Sequence, residues 1–302
     1  MSHGANSLKS ILFALVANSA IAVAKMVAAM ITGSGAMLAE SIHSFADAGN
    51  QALLILGLKR AKRPPSEDYP LGYGKSIYFW SFIVAIILFS LGGLFSLYEG
   101  WHKFNHPEPL TSPWIAIGVL IFAIVAEGIS MWGCLREVNK VLGGRSYWKW
   151  FRESRQSELL VVFGEDLAAL IGLVFALCAI GVSVATGNPI YDAIGTLIIG
   201  ALLLIIAVLI GNEVRALLIG QSADPLERKQ MNDWLNQREE VESIFNLLTM
   251  QMGNDILVAV KAKMKSTGTE EGMIEAINRV EAEFKQNFPN TMWLFFEPDN
   301  AD

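Results

Sequence analysis

Three ionisable side chains share one stripe of an apolar segment in the first sixth of the chain. Glu40, His43 and Asp47 are spaced three and four residues apart, which places them on one face of a helix. Ionisable groups inside a membrane helix are costly and mark ion or proton pathways by default. We interpret His43 and Asp47 as half of a divalent metal site. The alternative is a buried polar network that holds helices together.

A second group of acids lies in another apolar segment, where Glu165 and Asp166 are adjacent and therefore point about 100° apart on a helix. At about 1.5 Å per residue, Asp47 lies about 16 Å and Asp166 about 12 Å from the ends of their predicted helices. Both depths are close to the middle of a hydrocarbon core about 30 Å thick. We therefore expect two helices to present His43, Asp47 and Asp166 to a common point, at the depth that alternating access requires.

One imidazole with two or three carboxylates suits Zn²⁺, Mn²⁺, Co²⁺ or Fe²⁺. We expect Zn²⁺ or another divalent cation as a transported substrate, and no organic cofactor. These ligands must lose protons to bind metal, so protons and metal compete for them. His43 and Glu127, an acid in a third apolar segment, are the candidates for proton coupling. A helix–helix hydrogen bond is the alternative role for Glu127.

The composition predicts the helices that position these groups. Hydrophobic residues make up 53% of the chain and charged residues 17%, which is typical of a membrane protein. The apolar blocks reach the roughly 20 residues that a spanning helix needs. We predict six spans, at about residues 11–31, 36–58, 76–98, 113–135, 159–185 and 190–218. A basic and aromatic segment at 147–151 is predicted to lie on the membrane surface.

Loop charge predicts the topology. The loops after the second and fourth spans hold almost all loop Lys and Arg, so both termini are expected in the cytoplasm. We expect a multi-pass protein of a bacterial inner membrane. The net charge of −6 argues against a nucleic-acid partner. Cys134 and Cys178 lie in apolar runs and are interpreted as buried hydrophobic residues.

Two further groups leave alternatives open. Lys25, near the far end of the first span, either extends to the interface or pairs with Glu40 as a candidate gate pair. His102 and His106 follow the third span, where they form either a metal-binding entrance or part of an interfacial aromatic and proline-rich loop.

Charge rises sharply after residue 220. We predict a transmembrane transport domain at 1–220 and a cytoplasmic domain at 221–302. The hydrophobic pattern of the second domain predicts the order α-β-β-α-β, a two-layer sandwich with its helices on one sheet face. The predicted fold class is thus an all-α six-helix transmembrane domain plus a small cytoplasmic α+β domain. The domain lacks His and Cys, which disfavours a soft-ligand metal sensor there.

The segment 39–47, AESIHSFAD, resembles the second-span motif of the cation diffusion facilitator family, in which an acid or His precedes an Asp by four. Asp166 matches the Asp of the family's fifth span. The resemblance covers nearly the whole chain and implies a proton-coupled exporter of divalent metal that forms a homodimer. Family members commonly carry His four residues before the fifth-span Asp, where this chain has Val162.

Segments 127–128, 165–169 and 187–192 resemble the zinc-transporter-nine branch of the family, in which that His is not expected. The fourth ligand would then be Glu165, Glu127 or a water molecule. Tyr69 and Tyr73 stand where several members have loop histidines. Phenols are poor zinc ligands at neutral pH, so we expect that loop site to be absent.

The leading hypothesis is a secondary active transporter that exports metal in exchange for protons. A membrane metallohydrolase would need a water-activating metal with a paired general base, and neither an HExxH-like pair nor a Ser/His/Asp set is visible in the sequence, so we do not expect an enzyme. A non-transporting scaffold with a degenerate site is the third interpretation, and Val162 is the residue that favours it.

Overall fold

The computed structural model describes residues 4–301, with side chains from Asn18 onward. The chain forms two compact units. The first contains the chain up to Gly57, together with Trp80–Val141 and Glu158–Val214. The second contains Leu58–Phe79, Leu142–Ser157 and the chain from Arg215 onward.

Six long helices and one short helix precede the C-terminal region. They are α1 (Gly4–Thr32), α2 (Gly35–Ala61), α3 (Ser76–Asn105), α4 (Pro113–Val141), the short α5 (Tyr147–Glu153), α6 (Ser157–Thr186) and α7 (Ile190–Ile219). Among the described residues, α3, α4, α6 and α7 are long and apolar enough to cross a membrane. The chain is therefore an integral membrane protein with several apolar helices. The count of six spans stays a prediction, because α2 is less apolar than these four helices and the described apolar stretch of α1, Asn18–Thr32, is shorter than a full span.

The apolar helices differ in how much of their surface they bury. Large apolar side chains on α4 point outward, among them Trp114, Phe122, Ile129 and Trp132, as expected for a helix that faces lipid. Cys134 is buried, whereas Cys178 on α6 is exposed. The prediction that both cysteines are buried is therefore wrong for Cys178, because an apolar helix side that contacts lipid looks the same in sequence as one that contacts protein.

Helices α3 and α7 approach closely through glycine. A Cβ atom on Gly93 would lie 2.4 Å from Cδ2 of Leu204, and one on Gly100 would lie 2.8 Å from the backbone nitrogen of Leu197. Small residues let membrane helices pack backbone against backbone. Gly93 belongs to a π-helical segment of α3, Leu88–Leu94.

The second unit contains a three-stranded sheet with two helices. Its elements are α8 (Pro225–Asn236), β1 (Val241–Met252), β2 (Asp255–Met264), α9 (Glu270–Asn287) and β3 (Thr291–Pro298). The strand order is β1-β2-β3, with β1 antiparallel and β3 parallel to the central β2. The small C-terminal α+β domain is confirmed. Asp224 caps α8 by accepting a hydrogen bond from the Leu226 amide, and Pro225 occupies the first turn as predicted.

One face of the sheet and both helices share a single core. Alternate residues of β2 point into it, as expected for a strand with one buried face. The core side chains are Met231, Leu235, Val241, Leu247, Ile256, Val258, Val260, Ala262, Val280 and Phe284. Opposite-facing Lys261 pairs with Asp299 at 3.1 Å. The two-layer packing follows from this alternation.

Within the second unit, the loop before α3 contacts the tip of the β1–β2 hairpin. The hydroxyl of Tyr78, which is fully buried, accepts a 2.9 Å hydrogen bond from the Gly253 amide and lies 3.3 Å from the Gly253 carbonyl. A Cβ atom on Gly74 would lie 1.9 Å from the carbonyl oxygen of Met252. The two backbones are therefore in direct contact, and glycine at position 74 is required.

The short helix α5 belongs to the same unit. Its Trp150 and Phe151 are buried, while Trp148 is exposed, so only part of the predicted surface segment is free to lie on a membrane. Beside it, Arg145 forms an ion pair with Asp224, with 2.8 Å between Nη1 and Oδ2. A basic residue that the topology argument counted as loop charge thus binds the cap of α8.

Candidate metal-transport site

The first unit contains a small cavity between α1, α2, α4 and α6. Its volume is about 20 Å³, which is enough for one water-sized occupant. Its walls are almost entirely polar or charged. The lining residues are Asn18, Ser44, Asp47, Gln51, Glu127, Val162, Glu165 and Asp166.

Helix α2 supplies three of these residues from one stripe. Ser44, Asp47 and Gln51 are spaced three and four apart, so one face of α2 carries them all. Asp47 was predicted as a site residue and Gln51 was not, although the spacing of Gln51 four residues after Asp47 was a usable signal. Asn18 was not predicted as a site residue either, because a single amide in a first span has no distinguishing pattern.

Four carboxylates border the cavity, and they come from three helices. Asp47 lies on α2, Glu127 on α4, and Glu165 and Asp166 on α6. The adjacent acids of α6 point about 100° apart, as expected for neighbours on a helix. Both nevertheless line the cavity, one on each side of the α6 surface that borders it. The structure thus brings Asp47 and Asp166 to one cavity.

Two hydrogen bonds orient the α6 acids. Asn50 Nδ2 on α2 donates to Glu165 Oε1 at 2.6 Å, and Ser130 Oγ on α4 donates to Asp166 Oδ2 at 3.1 Å. Glu165 and Asp166 are both buried, so these bonds hold carboxylates that have little contact with solvent. Hydrogen bonds of this kind fix the orientation of metal ligands.

His43 is buried beside Asp47 and does not border the cavity. Its Nδ1 lies 3.5 Å from Asp47 Oδ1, which is too far for a hydrogen bond. Among the residues whose side chains are described, none forms a hydrogen bond with either ring nitrogen of His43 or with Asp47 Oδ1. Buried polar atoms without partners are rare and require an explanation such as an ion. A cation between these groups would satisfy them.

The described part of the chain contains no preformed metal-binding site. Within it, no three side chains of His, Cys, Asp or Glu lie close enough together to hold one metal ion. The carboxylates face a common space, but their oxygen atoms do not converge. Binding of a metal ion at Asp47 and Asp166 therefore requires side-chain rotation or a small helix movement.

Lys25 on α1 lies against α2 in the interior. Its Nζ donates to Ser44 Oγ at 2.7 Å and lies 3.5 Å from Glu40 Oε2, with both charged side chains fully buried. Of the two alternatives for Lys25, the structure has the pairing with Glu40. Helix α6 passes close by, since a Cβ atom on Gly172 would lie 2.3 Å from Glu40 Oε1.

The other sequence-predicted groups lie outside this cavity. His102 and His106 are exposed at the end of α3, with ring centroids 5.4 Å apart. The rings of Tyr69 and Tyr73 pack together at 4.4 Å. Neither pair has a third His, Cys, Asp or Glu partner for a metal ion among the described residues.

A cavity lined by four carboxylates among apolar helices is typical of membrane proteins that handle cations. A family model described as the cation efflux transmembrane domain matches residues 11–219. The chain belongs to this family, the cation diffusion facilitators, which are membrane metal transporters.

Curated relatives agree with this assignment. The chain is 34% identical over 248 residues to a mitochondrial proton-coupled zinc antiporter, SLC30A9, of Xenopus laevis, covering 81% of this chain and 44% of the relative. It is 29% identical over 253 residues to metal tolerance protein C4 of Arabidopsis thaliana, covering 80% and 55%. It is 31% identical over 195 residues to the magnetosome protein MamB of Paramagnetospirillum magneticum, covering 62% and 64%.

The chain spans less than half the length of the SLC30A9 proteins it matches. The resemblance to the cation diffusion facilitators and to their zinc-transporter-nine branch is confirmed. The family is one of cation efflux transporters and the SLC30A9 relatives are named as antiporters, which agrees with the expectation that this protein is not an enzyme.

Proposed function

We propose that this protein is a secondary active transporter that moves a divalent cation, Zn²⁺ first, out of the cytoplasm in exchange for protons. The observation that carries the proposal is the cavity with Asp47, Glu127, Glu165 and Asp166 on its walls. Four acids around a space for one small occupant create a strongly negative site, which protons or a divalent cation can neutralise. Relatives named as proton-coupled zinc antiporters support the choice of ion and of coupling.

We assign the metal to Asp47 and Asp166, which come from different helices and border the same cavity. His43 is the third ligand, since rotation about its side-chain bonds would bring an unpartnered nitrogen toward the ion that Asp47 binds. Glu165 or Glu127 completes the set. Carboxylates with one imidazole accept Zn²⁺, Mn²⁺ and Fe²⁺.

Proton coupling is assigned to His43 and Glu127. Protons and metal compete for the same nitrogen and oxygen atoms, so arrival of one releases the other. Among the described side chains, none forms a hydrogen bond with the Glu127 carboxylate, which favours a titrating role over the alternative of a helix–helix hydrogen bond.

The membrane arrangement is also part of the proposal. Six spans with both termini in the cytoplasm follow from the loop charges, and a homodimer follows from the family. The expectation of a bacterial inner membrane rests on the sequence alone, and relatives with mitochondrial names give it no support. The predicted division into residues 1–220 and 221–302 is retained as the functional division.

The test is zinc uptake into proteoliposomes under an imposed proton gradient. Asp47→Ala should abolish uptake, while Asp233→Ala, which removes an exposed acid on α8, should leave it unchanged. Uptake by Asp47→Ala at the wild-type rate would reject the site. A wild-type protein that binds zinc but carries none across the membrane would instead support the scaffold interpretation.

A further inference from the structure

The N-terminus of α2 is capped by its own Ser34, whose Oγ accepts a hydrogen bond from the Met37 amide at 3.2 Å, and also by a residue of another helix. Asp192, in the first turn of α7, accepts a hydrogen bond from Ser34 Oγ through Oδ1 at 2.6 Å and from the Gly35 amide through Oδ2 at 2.7 Å. Ser34 and Asp192 are both almost completely buried. Helix α2 has no acid of its own in its first turn, so Asp192 supplies the negative charge that a helix N-terminus favours.

A second contact reinforces this cap from α3. Lys103 Nζ donates to the carbonyl oxygen of Gly33, in the turn between α1 and α2. A Cβ atom on Gly35 would lie 2.8 Å from Lys103 Cδ and 2.9 Å from Thr196 Oγ1. The ends of α2, α3 and α7 therefore meet at one turn, and the packing leaves no room for a larger residue at position 35.

The proposed metal ligands of α2 lie a few turns after its capped N-terminus. His43 and Asp47 lie 8 and 12 residues after Gly35, or about 12 and 18 Å along the helix axis. The opposite end of α2 carries Lys59 and Arg60. It leads into a basic loop, which the positive-inside rule assigns to the cytoplasm. Asp192 thus fixes α2 to α7 on the side of the membrane where exported metal would leave.

We propose that Asp192 is a positioning residue for transport and that its two hydrogen bonds to Ser34 and Gly35 form a latch on the non-cytoplasmic side. While the latch is closed, α2 and α7 stay together and the metal ligands face away from that side. The latch opens once in each transport cycle to let the metal leave. This inference rests on the proposed function, because a latch needs a transported ion.

A disulfide across the latch tests it. Ser34→Cys and Asp192→Cys are combined in a Cys134→Ala/Cys178→Ala background, because the two native side chains are in hydrogen-bond contact, and formation of the disulfide is verified by mass spectrometry before transport is measured. Each single cysteine variant is the matched control. Zinc uptake into proteoliposomes and zinc affinity by calorimetry are measured before oxidation, after oxidation and after reduction.

Oxidation of the double variant should lower uptake at least about tenfold while zinc affinity stays within about twofold, and reductant should restore the rate. Oxidation should not affect the single variants. If the cross-linked protein takes up zinc as fast as the same variant with free thiols, the latch is overturned and the proposed function still stands. A cysteine-free parent that carries no zinc would overturn both.

A second measurement avoids changing Asp192. In the Ser34→Cys single variant, the thiol is buried at rest and a water-soluble maleimide should label it several-fold faster during zinc transport than without zinc. A Glu108→Cys variant, at an exposed position between α3 and α4, should label equally fast in both conditions. Equal labelling rates of the Ser34→Cys thiol with and without transport, in a variant that transports zinc, would reject the latch.

Discussion

The side-chain amide of Asn50 donates a 2.6 Å hydrogen bond to the carboxylate of Glu165, and this bond joins α2 to α6 beside the cavity. Both residues are buried. One oxygen of Glu165 is therefore already hydrogen-bonded, whereas Asp47 Oδ1 has no hydrogen-bond partner within the described part of the chain. The bond sets the position of α6 relative to the helix that carries His43 and Asp47.

Asn50→Ala should destabilise the protein by about 1–3 kcal/mol, because it leaves the buried Glu165 carboxylate without its donor. Thermal unfolding of the full chain in detergent measures this loss. Asn236→Ala is the control, since the Asn236 amide only bonds to the Asn232 carbonyl within the exposed surface of α8. Equal melting temperatures for the two variants would contradict the structural role of Asn50.

Ser130→Ala should weaken zinc binding about tenfold, the lower end of the range for losing a residue that orients a metal ligand. Its hydroxyl donates to Asp166 Oδ2 at 3.1 Å, and without it the carboxylate is free to rotate. Calorimetric titration with zinc measures the affinity. Ser90→Ala removes a hydroxyl that bonds to its own helix backbone and should bind zinc as the wild type does. A Ser130→Ala protein with unchanged affinity would remove Asp166 from the proposed ligand set.

Gly74→Ala should destabilise the second unit strongly, by about 3 kcal/mol or more, since the added Cβ would overlap the Met252 carbonyl oxygen and something in the backbone must move. Gly118→Ala is the matched control, because a Cβ atom there meets nothing within 4 Å. That control should be neutral or slightly stabilising. The two melting temperatures, measured on the full chain, decide the prediction, and a Gly74→Ala protein as stable as Gly118→Ala would refute it.

Glu240, in the loop between α8 and β1, pairs with Arg238 of the same loop and with Arg279 of α9, and its ionisation should affect stability at acidic pH. Partial burial raises the pKa of this carboxyl. Hydrogen bonds from its own backbone and from Arg279, together with the charge of Arg238, lower the pKa by more than burial raises it, so it lies below its ordinary value of 4.5. A lowered folded-state pKa stabilises the protein above the unfolded-state pKa, and the stabilisation is lost as pH falls through the folded-state value.

Wild type should therefore melt at a higher temperature than Glu240→Gln at pH 7, and the difference should shrink as pH falls below about 4.5. Melting curves of the full chain between pH 7 and pH 3.5 measure it. Glu239→Gln, at the exposed neighbouring position, should show no such pH-dependent difference. A constant difference across the range would mean that the charge of Glu240 does not contribute.

The sequence predicted those parts of the structure that depend on local pattern. The alternation of apolar and polar residues along β2 and the Asp224-Pro225 helix cap predicted where the C-terminal helices and strands begin and end to within a few residues. Acids inside apolar runs were sufficient to select Glu127 and Asp166. In both cases the signal lies within one helix or strand, where hydrophobic periodicity and the cost of burying charge act directly.

Features that depend on how helices face each other could not be predicted. His43 and Asp47 share a stripe of α2, but the rotation of α2 relative to α6 is fixed by contacts such as Asn50 with Glu165 and Glu40 against Gly172. The contact of Asp192 with Ser34 was not predicted, because Ser34 lies 158 residues earlier in the chain. Contacts between residues so far apart in the chain do not alter the hydrophobic periodicity of either helix, so the sequence pattern cannot predict them.

The π-helical segment Leu88–Leu94 divides α3 into two halves that are out of phase. Ser90 Oγ donates to the carbonyl of Ile86 just before this segment, and Ser96 Oγ donates to the carbonyl of Gly92 within it, so side chains add hydrogen bonds to backbone acceptors beside the widened turns. Returning such a segment to regular α-helix displaces one half by a residue, which corresponds to a turn of about 100° about the axis. The π-helical segment therefore sets the rotational phase of the half of α3 that carries Gly100, and the close approach of Gly100 to Leu197 of α7 depends on that phase.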